Sequence, residues 1–360
     1  MNEIRKEDVA QALRDFRDPE MGRSVMETGQ VTDLAVTPQG IALSLGLTTL
    51  VAPIAEDIRA SLHVLLHERF PQAEEIAVEL TTFQRPPVPK GQVGLTAKKV
   101  IAVGSGKGGV GKSTIAVGVA TTLHRLGARV GLLDADVYGP SVPHLLGVSE
   151  GAIRADEQGQ MIPVDCGGMP VHSIGFLVPK EEAVVWRGPM LHGSLMQMMG
   201  KTVWGDLDYL VIDMPPGTGD VPLTLSQVIG PDGVIVVCTP QEVALLDAVK
   251  AISMFRRVRI PVLGIVENMS GFLCPDCGKT YDIFGTGGAK REAERQDVPL
   301  LGEIPLHIPI RQWGDAGAGA TMAQDPQVAP HFERIVHTIV KRFADEAVNN
   351  PPKLELPVIG

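Results

Sequence analysis

Residues Gly106 to Ser113 read GKGGVGKS, which satisfies the spacing G-x-x-x-x-G-K-[ST]. Each residue type in that run has a chemical reason. Gly106, Gly108, Gly109 and Gly111 let successive backbone N–H groups curl around phosphate oxygens, where a Cβ would crowd the anion. Lys112 brings a point charge to the β- and γ-phosphates, and Ser113 offers a hydroxyl to Mg²⁺. Val110 and Thr114 complete the stretch expected to touch a nucleotide such as ATP. The helix that starts there aims its positive end at the phosphates. Lys107 is a further lysine inside the loop, beside phosphates that Lys112 already holds, and binding alone does not require it.

Acids follow at the ends of apolar runs. Asp134-Ala-Asp136 closes VGLLD, and its two carboxylates can support Mg²⁺ and orient an attacking water. Asp136 is expected at the water and Asp134 at the metal shell, or the two in reversed roles. Asp213 closes YLVID, where an acid after four apolar residues can reach Mg²⁺ through water. The loop Met214-PPGTGD-Asp220 then mixes stiff and permissive points, which suits two positions set by the γ-phosphate. Asn268, just past a further apolar run, carries an amide that can accept from and donate to adenine; asparagine is also an ordinary turn residue.

Cys274-Pro-Asp-Cys277 supplies two thiolates, half of a tetrahedral four-sulfur site. The chain has no second C-x-x-C; Cys238 reads as a small core residue and Cys166 has no near partner. A second copy of the chain across a two-fold axis can provide the missing half. Such a cage fits a bridging [4Fe–4S] cluster or Zn²⁺, and four thiolates alone do not choose between them. Pro275 and Gly278 suggest a knuckle rather than the helix start of a redox dithiol. His63 and His67, spaced i, i+4, read as a half-exposed helix face, because no third ligand is evident nearby.

The elements that must hold these groups are legible as hydrophobic periodicity. Residues 1–83 predict an αββαβ order, a small α+β domain, and residues 84–97 are a proline- and glycine-dense linker. From 98 to 348, continuous apolar strands alternate with helices, which predicts an α/β domain with a mostly parallel, doubly wound sheet. Strands are expected at Val100–Val103, Val130–Leu133, Val171–Ile174, Tyr209–Ile212, Gly233–Cys238, Val262–Val266 and Leu300–Glu303, and residues 349–360 are expected to be a flexible tail. Ligands then belong at the carboxyl ends of the strands. With 44% apolar residues but 4% aromatic, the composition suits aliphatic α/β layers and excludes a disordered chain. A net charge of -10 gives no electrostatic footprint for nucleic acid or an anionic membrane. No apolar run approaches a membrane span, and the N-terminus lacks a secretory h-region. Four cysteines in 360 residues make no disulfide framework, which points to a reducing cytoplasmic compartment.

Taken together, KGGVGKST, LLDADVYGPSVP, WRGP, LDYLVIDMPPGTGD and ENMSGFLCPDCG resemble the Mrp/ApbC family, P-loop carriers of iron-sulfur clusters related to septum-site and chromosome-partitioning ATPases. The pattern DPE…TTL in the first domain is similar to the small metal-sulfur assembly domain often fused ahead of them. The resemblance implies a homodimer that binds a [4Fe–4S] cluster through Cys274 and Cys277 of both chains and hands it to apo-proteins. It implies slow ATP hydrolysis that gates the transfer, with Lys107 reaching across the two-fold axis to the partner's nucleotide. One departure stands out: Ala52 precedes Pro53 where that small domain commonly has a cysteine, so no metal is assigned to it. Two other readings remain, a structural zinc in the same dimer and a positioning ATPase. The latter calls for a basic C-terminal helix, yet His337, Lys341 and Arg342 are offset there by Glu333, Asp345 and Glu346.

Overall fold

Apolar strand segments and helical segments alternate through most of the chain, and the computed structural model resolves them into a parallel sheet with helices on both faces. It describes residues 4–37, 40–148, 153–176, 188–217 and 219–352. The expected tail, apart from its first residues, and Trp186 and Arg187 of the WRGP segment lie outside these. The chain divides into two units, Met1–Pro86 with His337–Gly360, and Pro87–Val336.

The first unit runs α1 (Lys6–Leu13), β1 (Val31–Val36), β2 (Gly40–Leu47), α2 (Ala55–Arg69) and β3 (Glu75–Thr82). Its sheet has the order β1-β2-β3, with β1 antiparallel and β3 parallel to β2. This is the expected αββαβ arrangement. Leu13, Leu45, Leu62 and Leu66 are fully buried and form its core. His63 and His67 lie on the exposed face of α2. Ala52 sits in a 3-10 turn, Thr49–Ile54.

The second unit contains β4 (Ala97–Ser105), α3 (Lys112–Arg125), β5 (Val130–Asp134), α4 (Val142–Leu145), the short strands β6 (Arg154–Ala155), β7 (Met161–Ile162) and β8 (Val164–Cys166), then β9 (Met169–Ser173) and α5 (Gly188–Gly200). It continues with β10 (Leu207–Asp213), α6 (Asp220–Val228), β11 (Gly233–Cys238), α7 (Glu242–Arg257), β12 (Val262–Leu273), β13 (Thr280–Tyr281), α8 (Gly288–Arg295), β14 (Leu300–Leu306) and α9 (Ile308–Asp315). The last helix, α10 (Ala329–Asn349), begins in this unit. The main sheet has nine strands in the order β13-β12-β11-β4-β10-β5-β9-β8, with β14 also on β12. Only β13 and β8 pair antiparallel. Every residue of β10 and of β11 is buried, as strands covered on both faces must be. All seven expected strands are present, several extended by a few residues.

The boundaries differ from the expected 84–97 linker and 98–348 domain. Residues 87–97 pack with the second unit: Lys90 Nζ lies 2.6 Å from Asp232, the Gln92 N–H donates to the Val228 carbonyl at 2.9 Å, and Leu95 is buried. Proline and glycine density marks a lack of regular structure there, not a lack of packing. The second half of α10 packs with the first unit, where His337 pairs with Asp57 at 2.7 Å. Helical periodicity cannot say which core each end of one helix faces.

Helix α3, which carries the glycine-rich loop on its N-terminus, is buried around most of its circumference, from Ile115 to Leu123. It fits because of Gly118: a Cβ there would lie 2.2 Å from the fully buried ring of Phe332. Gly118→Ala is therefore expected to destabilise the protein by about 1–3 kcal/mol through overpacking. The midpoint of denaturant unfolding reads the effect, and adding Phe332→Leu should recover part of it.

Candidate functional site

The phosphate loop joins the end of β4 to α3 at the centre of the sheet, between β10 and β11. It closes tightly where Gly106 approaches the backbone of α7. A Cβ on Gly106 would meet the Asp247 carbonyl oxygen at 2.0 Å, and Gly111, the N-cap of α3, has φ +80°. The loop borders a cleft of about 410 Å³ lined by Lys107, Gly109, Lys112, Ser113, Asp136 and Ser141 among others. That is room for a phosphate chain at a helix N-terminus.

Two carboxylates, Asp213 and Asp136, meet one ammonium at this cleft. Lys112 Nζ donates to Asp213 Oδ1 at 2.5 Å and to Ser113 Oγ at 3.2 Å, and lies 3.4 Å from Asp136 Oδ2. Asp213 is fully buried, and its Oδ2 has no hydrogen-bond partner among the described residues. Burial raises the Asp213 pKa above the usual carboxylate range, against the pull of Lys112. Burial, and next the nearby Asp213, push Asp134 up to about 8. The set is short of positive charge, and an unpartnered buried carboxylate oxygen beside the Ser113 hydroxyl fits a divalent cation.

Asp134 and Asp136 divide the work differently from two equal metal ligands. Asp134 accepts from the Asp136 N–H at 3.1 Å, the Val142 N–H at 3.2 Å and Ser173 Oγ at 2.9 Å, so it fixes the loop that follows β5. Asp136 Oδ1 accepts the N–H groups of Tyr138 and Gly139, which leaves Oδ2 facing Lys112. Ser141 Oγ reaches Ser113 Oγ at 3.1 Å. Ser141 and Ser173 carry no spacing signal as site residues; Ser173 is found only through the parallel pairing of β9 with β5. The switch-like loop after β10 is stitched to β4 by Met214 N–H to Val103 O at 3.0 Å and Gly217 N–H to Ser105 O at 2.8 Å. Thr218 of that loop lies outside the described residues.

Lys107 is half-buried at the cleft; its carbonyl accepts the Ser105 hydroxyl at 2.9 Å, and its ammonium makes no hydrogen bond or ion pair among the described residues. Asn268 is buried, and its amide nitrogen donates to the Val110 carbonyl at 2.8 Å, so it braces the phosphate loop.

The thiols sit where β12 turns back into β13. Phe272 pairs with Tyr281 and Leu273 with Thr280, and the Cys274 N–H donates to the Lys279 carbonyl at 2.9 Å. The C-x-x-C is thus the tip of a hairpin, not a helix start. Cys274 is half-buried and Cys277 exposed. Backbone N–H groups of Cys277 and Asp276 lower the Cys274 pKa, as suits a thiolate ligand. Burial instead pushes Cys166 up to about 11 and Cys238 up to about 12, which keeps both as neutral thiols. Among the described residues, no group of three potential metal-ligating side chains forms within one chain. No helix among them is long and apolar enough to cross a membrane.

Comparison with known proteins agrees with both halves of this arrangement. Residues 96–340 match the family described as NUBPL iron-transfer P-loop NTPase, and residues 6–80 match that described as iron-sulfur cluster assembly protein. A protein of Deinococcus radiodurans named iron-sulfur cluster carrier protein is 43% identical over 352 residues, 98% of this chain and 99% of that protein. One of the same name from Escherichia coli K12 is 52% identical over 257 residues, 71% of this chain and 68% of that protein. Among solved structures, a nucleotide-binding protein of Archaeoglobus fulgidus in complex with ADP is 39% identical, with a TM-score of 0.57, and covers 64% of this chain and 90% of its own. The Pyrococcus furiosus cell division ATPase MinD shares the fold alone, at 21% identity and a TM-score of 0.51 over 68% of this chain and 99% of its own. With its phosphate loop, its acids at parallel strand ends and its exposed dithiol hairpin, the chain belongs to the iron-transfer P-loop NTPases, the family of the iron-sulfur cluster carrier proteins.

Proposed function

We propose that the protein is an ATP-hydrolysing carrier that holds a [4Fe–4S] cluster between two copies of the chain and passes it to apo-proteins. The observation that carries this reading is the exposed hairpin tip with Cys274 and Cys277, half of a four-thiolate cage presented outward on a nucleotide-binding domain. The names of the relatives support the carrier role, and the Archaeoglobus protein's ADP supports a nucleotide at the loop. Two half-sites that meet at an interface leave the cluster labile, as a cargo must be.

The backbone N–H groups of residues 108–113, with Lys112, bind the β- and γ-phosphates of ATP. Ser113 and Asp213 would hold Mg²⁺, supported by Asp134, and the ion supplies charge neutralisation for the phosphates. Asp136, anchored through Oδ1, orients the attacking water with its other oxygen. Asp134 acts by fixing the loop that presents Asp136. Lys107, whose ammonium is free of partners within its own chain among the described residues, reaches the nucleotide of the second protomer and stabilises charge there as hydrolysis proceeds. Hydrolysis is slow and tied to cluster transfer.

Anaerobic reconstitution should yield about four iron and four sulfide per two chains, with a dimer in sedimentation. Cys274→Ala/Cys277→Ala should lose them; full retention would reject the ligand assignment, and about one zinc per dimer in place of iron would favour a structural metal. Lys107→Ala should keep ATP binding but lose hydrolysis by on the order of 10³-fold, together with nucleotide-dependent dimerisation. Unchanged turnover in that variant would leave the lysine without a catalytic part.

A further inference from the structure

We infer that Asn268 is a positioning residue that couples the phosphate loop to the thiol hairpin, so that the state of the nucleotide site sets the reactivity and metal affinity of Cys274 and Cys277. The inference rests on the function proposed above and names the residues that would link its two sites. One strand joins them. Asn268 lies inside β12, and Cys274 follows the last residue of that strand, Leu273. Six residues of extended chain span at most about 20 Å.

The near end is fitted against the loop. Besides donating to Val110, the Asn268 amide nitrogen would lie 2.2 Å from a Cβ on Gly111. The loop backbone at Gly111 therefore lies close against the Asn268 amide. Glu267, fully buried, holds the next turn from both sides: Oε2 accepts the Ala289 N–H at 2.9 Å and Oε1 accepts Ser270 Oγ at 2.7 Å. Between these anchors Met269 takes φ +59°, a left-handed conformation that is unfavourable for a non-glycine residue.

The far end follows from that kink. The register of β12 against β14 slips between Asn268 and Phe272, so the strand changes direction there. Gly271 (φ +73°) lets the returning strand close in, since a Cβ would meet Thr280 Cγ2 at 2.7 Å. The hairpin pairs Phe272–Tyr281 and Leu273–Thr280 then carry the direction to the thiols. A residue held in a costly backbone well by its neighbours has a second, lower well available once a neighbour lets go. Phosphate binding draws on the same loop backbone that Asn268 braces, which makes Met269 the point where the hairpin is re-aimed. By linkage, metal at the thiols changes nucleotide affinity by the same factor.

The test uses the full-length, reduced, metal-free protein and iodoacetamide as the probe of Cys274 and Cys277. Alkylation rates at each thiol are read by mass spectrometry, without nucleotide and with saturating Mg–ADP or a non-hydrolysable ATP analogue, and nucleotide binding and sedimentation are measured in parallel. In the wild type the rates should differ by about fivefold or more between nucleotide states. Met269→Gly, which removes the strain without touching the brace, should bring that ratio to within about twofold while nucleotide still binds and dimers still form, and Asn268→Ala should do the same at nucleotide concentrations raised to saturate it. The ratio separates coupling from a purely structural role, which would alter both states alike. A wild-type ratio retained in both variants, or no difference in a wild type that binds nucleotide, overturns the coupling and leaves the functional reading intact. A wild type that binds no nucleotide overturns the functional reading, and this inference with it.

Discussion

The nucleotide end of this protein depends on one constraint, the in-register parallel pairing of β5, β10 and β4. Asp213 sits opposite Asp134 on one side and Val103 on the other. That alignment sets an acid at the end of β10, an acid at the end of β5 and the start of the phosphate loop side by side. Parallel strands make this possible, because all of them end at the same edge of the sheet and every following loop emerges there. Buried aliphatic faces lock the register, since a slip of one residue would turn each strand's core side chains the wrong way.

The same alignment creates an electrostatic problem that the site is built around. Asp213 and Asp134 are fully buried and Asp136 nearly so, and Lys112 pairs with Asp213 and Asp136. Isolated carboxylates in such surroundings are costly. Hydrogen bonds from Ser173 and from the N–H groups of Val142, Asp136, Tyr138 and Gly139 offset part of that cost. The remainder is the physical reason why a phosphate-bound divalent cation belongs there. The thiol hairpin follows the opposite logic: it lies exposed at a strand turn, and its N–H groups favour the thiolate at Cys274.

Much of this was legible before any coordinates. The apolar runs mark all seven core strands because strands buried on both faces admit few other residues. The glycine-rich loop is legible because crowding leaves no alternative at positions such as Gly106 and Gly111. What was not legible is long-range contact. The amide chemistry of Asn268 is readable in the sequence, but its hydrogen bond to the Val110 carbonyl, 158 positions away in the chain, is not. Residues 87–97 likewise have no periodicity, yet Asp232 holds both Lys90 and the Val100 N–H.

The amino-acid sequence by itself determined which chemistry is present: a phosphate cradle, acids at strand ends, two thiols at ligand spacing, and the strands and helices that carry them. These are properties of residues within a few positions of each other, where backbone sterics and side-chain period act directly. Only the tertiary structure decided which group meets which. It made Asp134 an organiser of the loop that presents Asp136, joined the Asn268 amide to the Val110 carbonyl, and placed Cys274 and Cys277 at the far end of the same strand. Those outcomes depend on register and packing between distant segments, and local spacing contains no information about either.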